Sequence, residues 1–162
     1  MNVRVLAYEA GGWGRGELWL DGDVLVHHEL PRRLGAGGRE APSHPLADRF
    51  AAYFAGARDD FADVELDLEG ATPFTCAVVG TLRAVPYGET VTYGELAALA
   101  GYPNAHRAAG SVCAGNRFPL VVPCHRVVAA SGLGPYGASG TEYKRRLLEL
   151  EGWRWVSRKG RA

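Results

Sequence analysis

The sequence is poor in cysteine, lacks a paired-cysteine motif and contains no long apolar run. Its three cysteines, Cys76, Cys113 and Cys124, do not form an even disulfide framework, and none belongs to a CxxC pair. A zinc site of the common type is therefore not expected, and free thiols suit a reducing compartment. No apolar stretch approaches the length of a membrane span, and residues 1–9 lack the apolar core of a signal peptide. These absences predict a cytoplasmic protein without a metal site or a membrane partner.

Charge is balanced over the whole chain but is unevenly distributed along it. Residues 1–70 contain 7 Lys or Arg against 13 Asp or Glu, whereas residues 71–162 contain 11 against 5. A basic second half favours a polyanionic partner. The 162 residues suit one large domain or two small ones, and the stretch 69–72 has the composition of a linker. We therefore predict an N-terminal domain at 1–70 and a C-terminal domain at 71–162.

The first half has the pattern of a small α+β unit, and none of its residues forms a group to which chemistry can be assigned. Alternating and β-branched runs predict strands, and a four-residue apolar spacing predicts a helix. The predicted elements are strands at Val3–Tyr8, Glu17–Leu20, Val24–His28 and Asp63–Leu68, a loop at Pro31–Pro45, and a helix at Leu46–Ala55.

Helical signals dominate the second half, so that we predict a mainly helical domain there. Thr92 and Glu95 have the spacing of a capping box, which predicts a helix at Tyr93–Ala100. Asn104 is the predicted N-cap of a second helix, Ala105–Ala114. Two short helices joined by a tight, glycine-containing turn are typical of a helix-turn-helix.

The second of these helices consists mostly of very small side chains, with Arg107 as the one long exception. Such a smooth helix suits either a tightly packed core or a surface that another molecule approaches closely. DNA is a partner that fits the second interpretation, because a single arginine would then project from an otherwise flat face. The small residues are Ala105, Ala108, Ala109, Gly110, Ser111 and Ala114.

A cysteine and a histidine stand side by side at positions 124 and 125. The apolar run before them, Phe118–Val122, is too short for a helix and predicts a buried strand, which Pro123 ends because it has no N–H to donate. A thiol becomes a strong nucleophile as the thiolate, and a nearby base can produce it. Cys124 and His125 are therefore a candidate nucleophile and base, although a bare pair of this kind is more often a buried cysteine beside a satisfied histidine.

A glycine-rich stretch, Ser131–Gly140, follows the Cys-His pair. Long loops in compact domains are often functional, so this one is a candidate pocket wall, with a plain connector as the alternative. Ser139 and Glu142 have the spacing of a second capping box, ahead of a helix whose basic run 144–146 is expected to face mostly outward.

Five motifs, taken in order, resemble the O6-alkylguanine-DNA alkyltransferase family, and as an ordered set they are highly specific. They are Tyr-Gly-Glu-Leu-Ala at 93–97, Arg-Ala-Ala-Gly at 107–110, Gly-Asn at 115–116, Pro-Cys-His-Arg-Val at 123–127 and Leu-Leu-Glu-Leu-Glu-Gly at 147–152.

The resemblance covers residues 74–152 and implies that the N-terminal domain is ribonuclease H-like. It also implies a monomer that binds duplex DNA through the minor groove, flips a damaged guanine and moves the O6-alkyl group to its own cysteine without a cofactor. O4-alkylthymine remains open as a second substrate.

The resemblance further implies catalytic roles for single residues. Cys124 would be the alkyl acceptor, and His125 the base that acts on it through a water. Glu151, which the motif favours over Glu149, would orient the histidine. The remaining implied catalytic residues are Asn116, at the bend before the acceptor stretch, and Tyr93, which would crowd the target nucleotide and hydrogen-bond the leaving guanine.

Binding roles follow from the same resemblance. Arg107 would be the finger that fills the gap left by the flipped base. The expected DNA-binding residues are Arg107, Tyr93, Ala105, Ala108, Gly110, Ser111 and Arg126. The expected pocket residues are Tyr136, Val127, Cys113 and Gly137.

The N-terminal half departs from some members of the family, and three rival functions remain open. Some members bind a structural zinc through N-terminal cysteines and histidines, but no cysteine precedes Cys76 here, so that site is expected to be absent. One rival is a protein that senses alkylated bases in DNA without transfer, yet such proteins lack the cysteine that this chain has at 124. The others are a cysteine hydrolase, for which adjacent Cys-His is unusual, and a helix-turn-helix regulator, which needs no reactive thiol.

Overall fold

The computed structural model describes residues 2–33 and 44–154. They form a mixed α+β fold with a three-stranded antiparallel sheet, five α-helices and one short parallel strand pair. None of the helices in these two ranges has the length and apolar character needed to cross a membrane. Residues 34–43 of the predicted loop and the basic tail from Trp155 onward lie outside the described residues.

The sheet contains the first three strands of the chain, all of them predicted. β1 (Val3–Ala10), β2 (Gly14–Asp21) and β3 (Val24–Arg32) pair antiparallel in sequence order. Each is longer than expected, and β3 includes the start of the predicted loop. Gly16 is required in β2, because a Cβ there would lie 2.4 Å from the Tyr8 ring.

Five α-helices follow the sheet along the chain, and the helix predicted at Leu46–Ala55 is confirmed within one residue at each end. It is α1, whose Phe50, Tyr53 and Phe54 are buried. The elements are α1 (Pro45–Phe54), α2 (Pro73–Arg83), β4 (Val91–Thr92), α3 (Tyr93–Leu99), α4 (His106–Ala114), a one-turn 3-10 helix (Cys124–Arg126), β5 (Val127–Val128) and α5 (Gly140–Leu150).

One predicted helix cap is present and two are absent. Thr92 Oγ1 accepts from the Glu95 amide at 3.1 Å, and Glu95 Oε1 accepts from the Thr92 amide at 3.0 Å, so the first capping box is confirmed. Asn104 has a φ of +71°, and the N-cap of α4 is Ala105, which makes no side-chain cap bond. Ser139 has helical backbone angles rather than the extended ones of a capping residue, so its hydroxyl does not cap α5.

Two predicted strands are wrong. Phe118–Val122 is buried apart from Pro119, as expected, but Leu120 has a φ of +76° and the segment makes only one isolated bridge, between Pro119 and Val122. A turn conformation at Leu120 breaks the extended backbone that a strand needs. Asp63–Leu68 forms only the isolated bridge from Leu66 to Leu25.

The two halves of the chain share one cluster of buried apolar side chains. Backbone and side-chain bonds also join them, including His28 N–H to Arg117 O at 2.9 Å and Tyr143 hydroxyl to Pro31 O at 2.7 Å. The division of the chain at residue 70 stays a prediction. The contacts establish that β3 lies against the segment before the Cys-His pair, through Arg117 and Pro119, and that Tyr53 of α1 reaches Glu151 at the end of α5.

Candidate active site

The acceptor stretch lies at the wall of a cavity of about 570 Å³. Cys124 begins the 3-10 turn and is buried, with 8% of its surface exposed. Pro123 precedes it, and the turn directs the thiol into the cavity rather than along a strand. The lining includes Cys124, Tyr93, Gly110, Cys113, Asn116, Tyr136 and Gly137, together with residues of β3 that sequence reasoning had not connected with the site.

Asn116 holds the thiol in place. Its Nδ2 donates to Cys124 Sγ at 3.1 Å and to Val122 O at 2.8 Å, and its Oδ1 accepts from the Phe118 amide at 2.9 Å. One amide side chain therefore ties the irregular segment before the cysteine to the cysteine itself. An N–H aimed at sulfur also favours the charged thiolate over the thiol.

The thiol is protonated at rest. Burial raises the pKa of Cys124, and this effect outweighs the lowering by the Asn116 amide, the Tyr136 hydroxyl and the Lys144 ammonium. A buried thiol in this state is a weak nucleophile, because only the thiolate attacks readily. The site therefore needs a base.

Only one of the two ring nitrogens of His125 is hydrogen-bonded to another described residue. Its Nε2 lies 2.7 Å from Glu151 Oε2, and its Nδ1 has no hydrogen-bond partner among the described residues. Because a carboxylate only accepts, Nε2 carries the proton and Nδ1 presents a lone pair. Burial lowers the pKa of His125 by more than Glu151 raises it, so the ring is neutral and able to accept a proton.

Glu151 is the most heavily hydrogen-bonded side chain of the site. Besides His125, the Arg126 guanidinium donates to both carboxylate oxygens at 2.9 Å, the Gly88 amide donates to Oε1 at 3.0 Å and the Tyr53 hydroxyl donates to Oε2 at 2.5 Å. Burial alone would raise the pKa of Glu151, but the bonds from His125 and Arg126 hold it well below its usual range. Gly88 has a φ of +80°, and a Cβ there would lie 2.9 Å from Glu151 O, so only glycine brings its amide this close.

Two residues expected at the site do not reach their expected partners. Arg126 was expected to contact DNA, but it is 4% exposed and donates to Glu151 and to Val85 O, so its charge is used inside the protein. Val127 was expected to line the pocket through its backbone groups, but it is fully buried, pairs with Val91 in the short parallel strand pair and is not among the residues that line the cavity.

The two faces of α4 differ: one is packed in the core as the first interpretation expects, and the other is exposed, which leaves the second interpretation a prediction. Ala109 is fully buried, whereas Arg107, Ala108 and Ser111 are exposed. Gly110 faces the cavity, where a Cβ would lie 3.8 Å from the Tyr93 ring. The helix thus packs on one side and leaves a smooth surface with one arginine on the other; Ala105 is partly buried at its start.

The expected pocket residues Tyr136, Cys113 and Gly137 do line the cavity, as does Tyr93. Burial raises the pKa of Tyr93, so its hydroxyl keeps the proton that it would donate. Burial raises the pKa of Cys113 to about 12, so this thiol too keeps its proton at neutral pH. No group of three or more His, Cys, Asp or Glu in the described ranges could hold a metal ion.

Two residues of the site were missed by sequence reasoning. Lys144 was expected to face outward, but it is fully buried, donates to Pro135 O at 3.2 Å and has its pKa lowered to about 8 by burial. Tyr53 comes from α1, in the half to which no chemistry was assigned. No local signal identifies either one, because a lysine in a basic run and a tyrosine on an apolar helix face both have ordinary explanations.

Comparison with known proteins places this geometry in a family. The family described as "6-O-methylguanine DNA methyltransferase, DNA binding domain" matches residues 73–153. A methylated-DNA–protein-cysteine methyltransferase of Mycobacterium bovis is 51% identical over 105 residues, which are 64% of this chain and 62% of that protein. The chain thus spans somewhat less than two thirds of that relative. The Mycobacterium leprae protein of the same name is 44% identical over 137 residues, 80% of this chain and 81% of its own length.

Solved structures agree over nearly the whole chain. The Mycobacterium tuberculosis OGT in complex with DNA has a TM-score of 0.76 at 38% identity and covers 91% of this chain and 92% of its own. An O6-methylguanine-DNA methyltransferase of Pyrococcus kodakaraensis has a TM-score of 0.70 at 27% identity, over 93% and 99%. With Cys124, His125 and Glu151 placed as described, the chain belongs to the methylated-DNA–protein-cysteine methyltransferase family.

Proposed function

We propose that the protein repairs DNA by transferring an alkyl group from guanine O6 to Cys124, once per molecule. The observation that carries this proposal is the unpartnered Nδ1 of His125, buried next in sequence to a thiol that needs a base and held by Glu151 on its other side. That arrangement follows the logic of a hydrolytic triad, with sulfur as the nucleophile.

The proposed step balances without a cofactor. The Cys124 proton passes to His125 Nδ1 through a water, and the thiolate attacks the alkyl carbon. A sulfur–carbon bond forms while the bond from that carbon to guanine O6 breaks, and the electron pair stays on the guanine. A proton or a hydrogen bond from Tyr93 stabilises the leaving base. The thioether that remains on Cys124 is not displaced by ordinary thiol chemistry, so each molecule reacts once.

Duplex DNA carrying O6-alkylguanine is the proposed partner. α3 and α4 would act as a helix-turn-helix in the minor groove, with the exposed face of α4 against the DNA and Arg107 in the gap left by the flipped base. Flipping costs about a few kcal/mol and is cheaper at a base whose pairing is already damaged. The basic second half and the smooth exposed face of α4 support this docking.

The proposal extends to the organisation of the chain. Residues 1–70 would be a ribonuclease H-like domain and residues 71–162 the transferring domain. A monomeric state suits chemistry that each chain performs alone, and free thiols suit the cytoplasm.

The first test is the intact mass of the protein after incubation with a duplex that contains O6-methylguanine. We expect one added methyl group per molecule, located on Cys124 by peptide mapping, and no further addition with excess substrate. Cys124→Ser is the control, and it should bind the duplex but gain no mass. Transfer by the serine variant, or a methyl group on Cys113, would overturn the assignment.

An unchanged mass with intact binding to the lesion would instead favour a protein that senses alkylated bases. The same experiment with an O4-methylthymine duplex decides whether thymine is a second substrate.

A further inference from the structure

Three donors meet on one oxygen of Glu151, and one of them comes from the first half of the chain. Oε2 receives the Tyr53 hydroxyl at 2.5 Å, His125 Nε2 at 2.7 Å and Arg126 Nη2 at 2.9 Å. A carboxylate oxygen has about two lone-pair directions, so the donors compete for the same charge. Tyr53 is 1% exposed, which makes its short bond to a charged acceptor a strong one.

We propose that Tyr53 is a positioning residue that limits how strongly Glu151 attracts the proton of His125, and thereby keeps His125 neutral as the base for Cys124. This inference rests on the proposed function, which gives His125 its role. Tyr53 does not line the cavity and touches no reacting atom, and its hydrogen bond to Glu151 is its connection to His125.

The negative charge on Oε2 is shared among its three donors. A carboxylate next to a histidine favours the imidazolium, because the opposite charge stabilises the protonated ring. The Tyr53 hydroxyl draws part of that charge to itself, and the attraction on His125 falls accordingly. Without the hydroxyl, Oε2 would interact more strongly with His125, and the pKa of the histidine would rise.

Other charged and titratable groups also surround the His125–Glu151 pair, and Tyr136 of the glycine-rich loop has its pKa raised by burial and, to a smaller extent, by Cys124 and Tyr53. Arg126 lies on the same 3-10 turn as His125, and Lys144 of α5 acts on the ring from another side; both lower the pKa of His125. Tyr87, in the turn after α2, also feels the charge of Glu151, and Arg58 lies over the Tyr87 ring at 4.7 Å. None of these donates a hydroxyl to Oε2, so Tyr53→Phe changes one bond and leaves the rest in place.

Tyr53 could instead be only an anchor between α1 and the end of α5. Its ring packs against Phe54, Phe61 and Tyr87, and phenylalanine would keep those contacts. A pure anchor would change stability when the hydroxyl is lost, but it would leave the titration of His125 where it was.

The test compares Tyr53→Phe with Tyr8→Phe. Tyr8 is a matched control, because it lies in the same half, is 4% exposed and donates its hydroxyl to a buried histidine, His28, at 2.6 Å. Two quantities are measured in the full chain: the pKa of His125 by NMR of 15N-labelled histidine, and the pH dependence of the rate of methyl transfer from an O6-methylguanine duplex.

Tyr53→Phe should raise the pKa of His125 and move the acid limb of the rate profile upward by about 0.5 to 1 pH unit. Tyr8→Phe should move neither. Equal shifts in both variants, or no shift in Tyr53→Phe, would overturn the inference.

A second substitution covers the case in which Tyr53→Phe does not fold. Replacing Tyr53 with 3,5-difluorotyrosine keeps the shape and makes the hydroxyl a stronger donor, so the pKa of His125 should fall rather than rise. A rise or no change would contradict the proposal. The NMR titration also separates this inference from the proposed function, because it reports on His125 even if the wild-type protein transfers no methyl group.

Discussion

Two histidines are buried in the part of the chain that the structure describes, and they differ in how many ring nitrogens are hydrogen-bonded. His28 in β3 uses both ring nitrogens: Nε2 lies 2.6 Å from the Tyr8 hydroxyl and Nδ1 lies 2.7 Å from Pro119 O. His125 uses Nε2 alone and leaves Nδ1 unpartnered. Burial lowers the pKa of both rings, so both are neutral at neutral pH.

The comparison shows that burial and a shifted pKa do not mark a reactive histidine by themselves. A carbonyl oxygen accepts from His28 Nδ1, so its Nε2 must accept from Tyr8, and no lone pair remains. His125 retains a lone pair because its partner is a carboxylate on the opposite nitrogen. The unused nitrogen, rather than the environment, distinguishes the candidate base from the structural residue.

The largest expected effect is on the rate of methyl transfer, which should depend on His125 far more than on His28. His125→Gln removes the base, so the rate of methyl transfer should fall by about 10² to 10⁴-fold at neutral pH. The measurement is a single-turnover time course with an O6-methylguanine duplex. A loss below about tenfold would mean that Cys124 is activated in another way.

The matched change at the other histidine should affect stability instead. His28→Gln leaves the Tyr8 hydroxyl or Pro119 O poorly paired in the core, which costs about 1–3 kcal/mol of unfolding free energy. Urea denaturation measures this cost, and the transfer rate of the folded variant should stay within about fivefold of wild type. A rate as low as that of His125→Gln would erase the distinction between the two residues.

The buried state of His28 should also appear in the pH dependence of the unfolding free energy. The pKa of His28 is lowered to about 3 in the folded protein, against 6.5 in the unfolded chain, so the unfolded state binds the proton first as pH falls. The stabilisation is complete above pH 6.5 and is lost as pH falls from there towards 3. Between pH 7.5 and pH 5 this single group should cost about 2 kcal/mol.

Urea titrations of wild type and His28→Gln at both pH values give that contribution as a difference. The slope that remains in the variant belongs to other groups, His125 and Glu151 among them. An equal acid sensitivity of the two proteins would show that His28 is not held neutral.

The smallest expected effect on the transfer rate is that of Arg107, the proposed finger residue. Arg107→Ala should slow transfer from duplex DNA by about tenfold, which corresponds to about 1.4 kcal/mol, because no side chain then fills the gap of the flipped base. Transfer from free O6-benzylguanine should change little, since that base needs no flipping. Equal losses on both substrates would contradict a finger role, and the urea midpoint serves as the control for folding.

Local patterns in the sequence were sufficient for some of this organisation. The adjacency of Cys124 and His125 and the spacing of Thr92 and Glu95 depend on neighbours in the chain, so the acceptor pair and the start of α3 could be predicted. The strand expected at Phe118–Val122 could not be corrected from its composition, because the positive φ of Leu120 arises in a segment held by Asn116 and His28.

The residues that the sequence did not identify are those whose partners come from other segments of the fold. A buried Lys144 and an internal Arg126 look like surface cations in sequence, and only the folded chain brings a carbonyl or a carboxylate to them. The role of Glu151 could be predicted from the family motif at 147–152. Tyr53 belongs to no motif, and its contact with Glu151 is visible only in the folded structure.

That contact also has a consequence for how much of the chain the site needs. Tyr53 and Glu151 are 98 positions apart, and His125 and Glu151 are 26 apart. Closing a loop of 98 residues costs more chain entropy than closing one of 26, although the cost grows slowly with length. The Glu151 carboxylate thus receives hydrogen bonds from both halves of the chain, from Tyr53 of α1 and from the 3-10 turn. A fragment that begins after α1 would keep Cys124, His125 and Glu151, but it would lack the Tyr53 hydroxyl on the carboxylate.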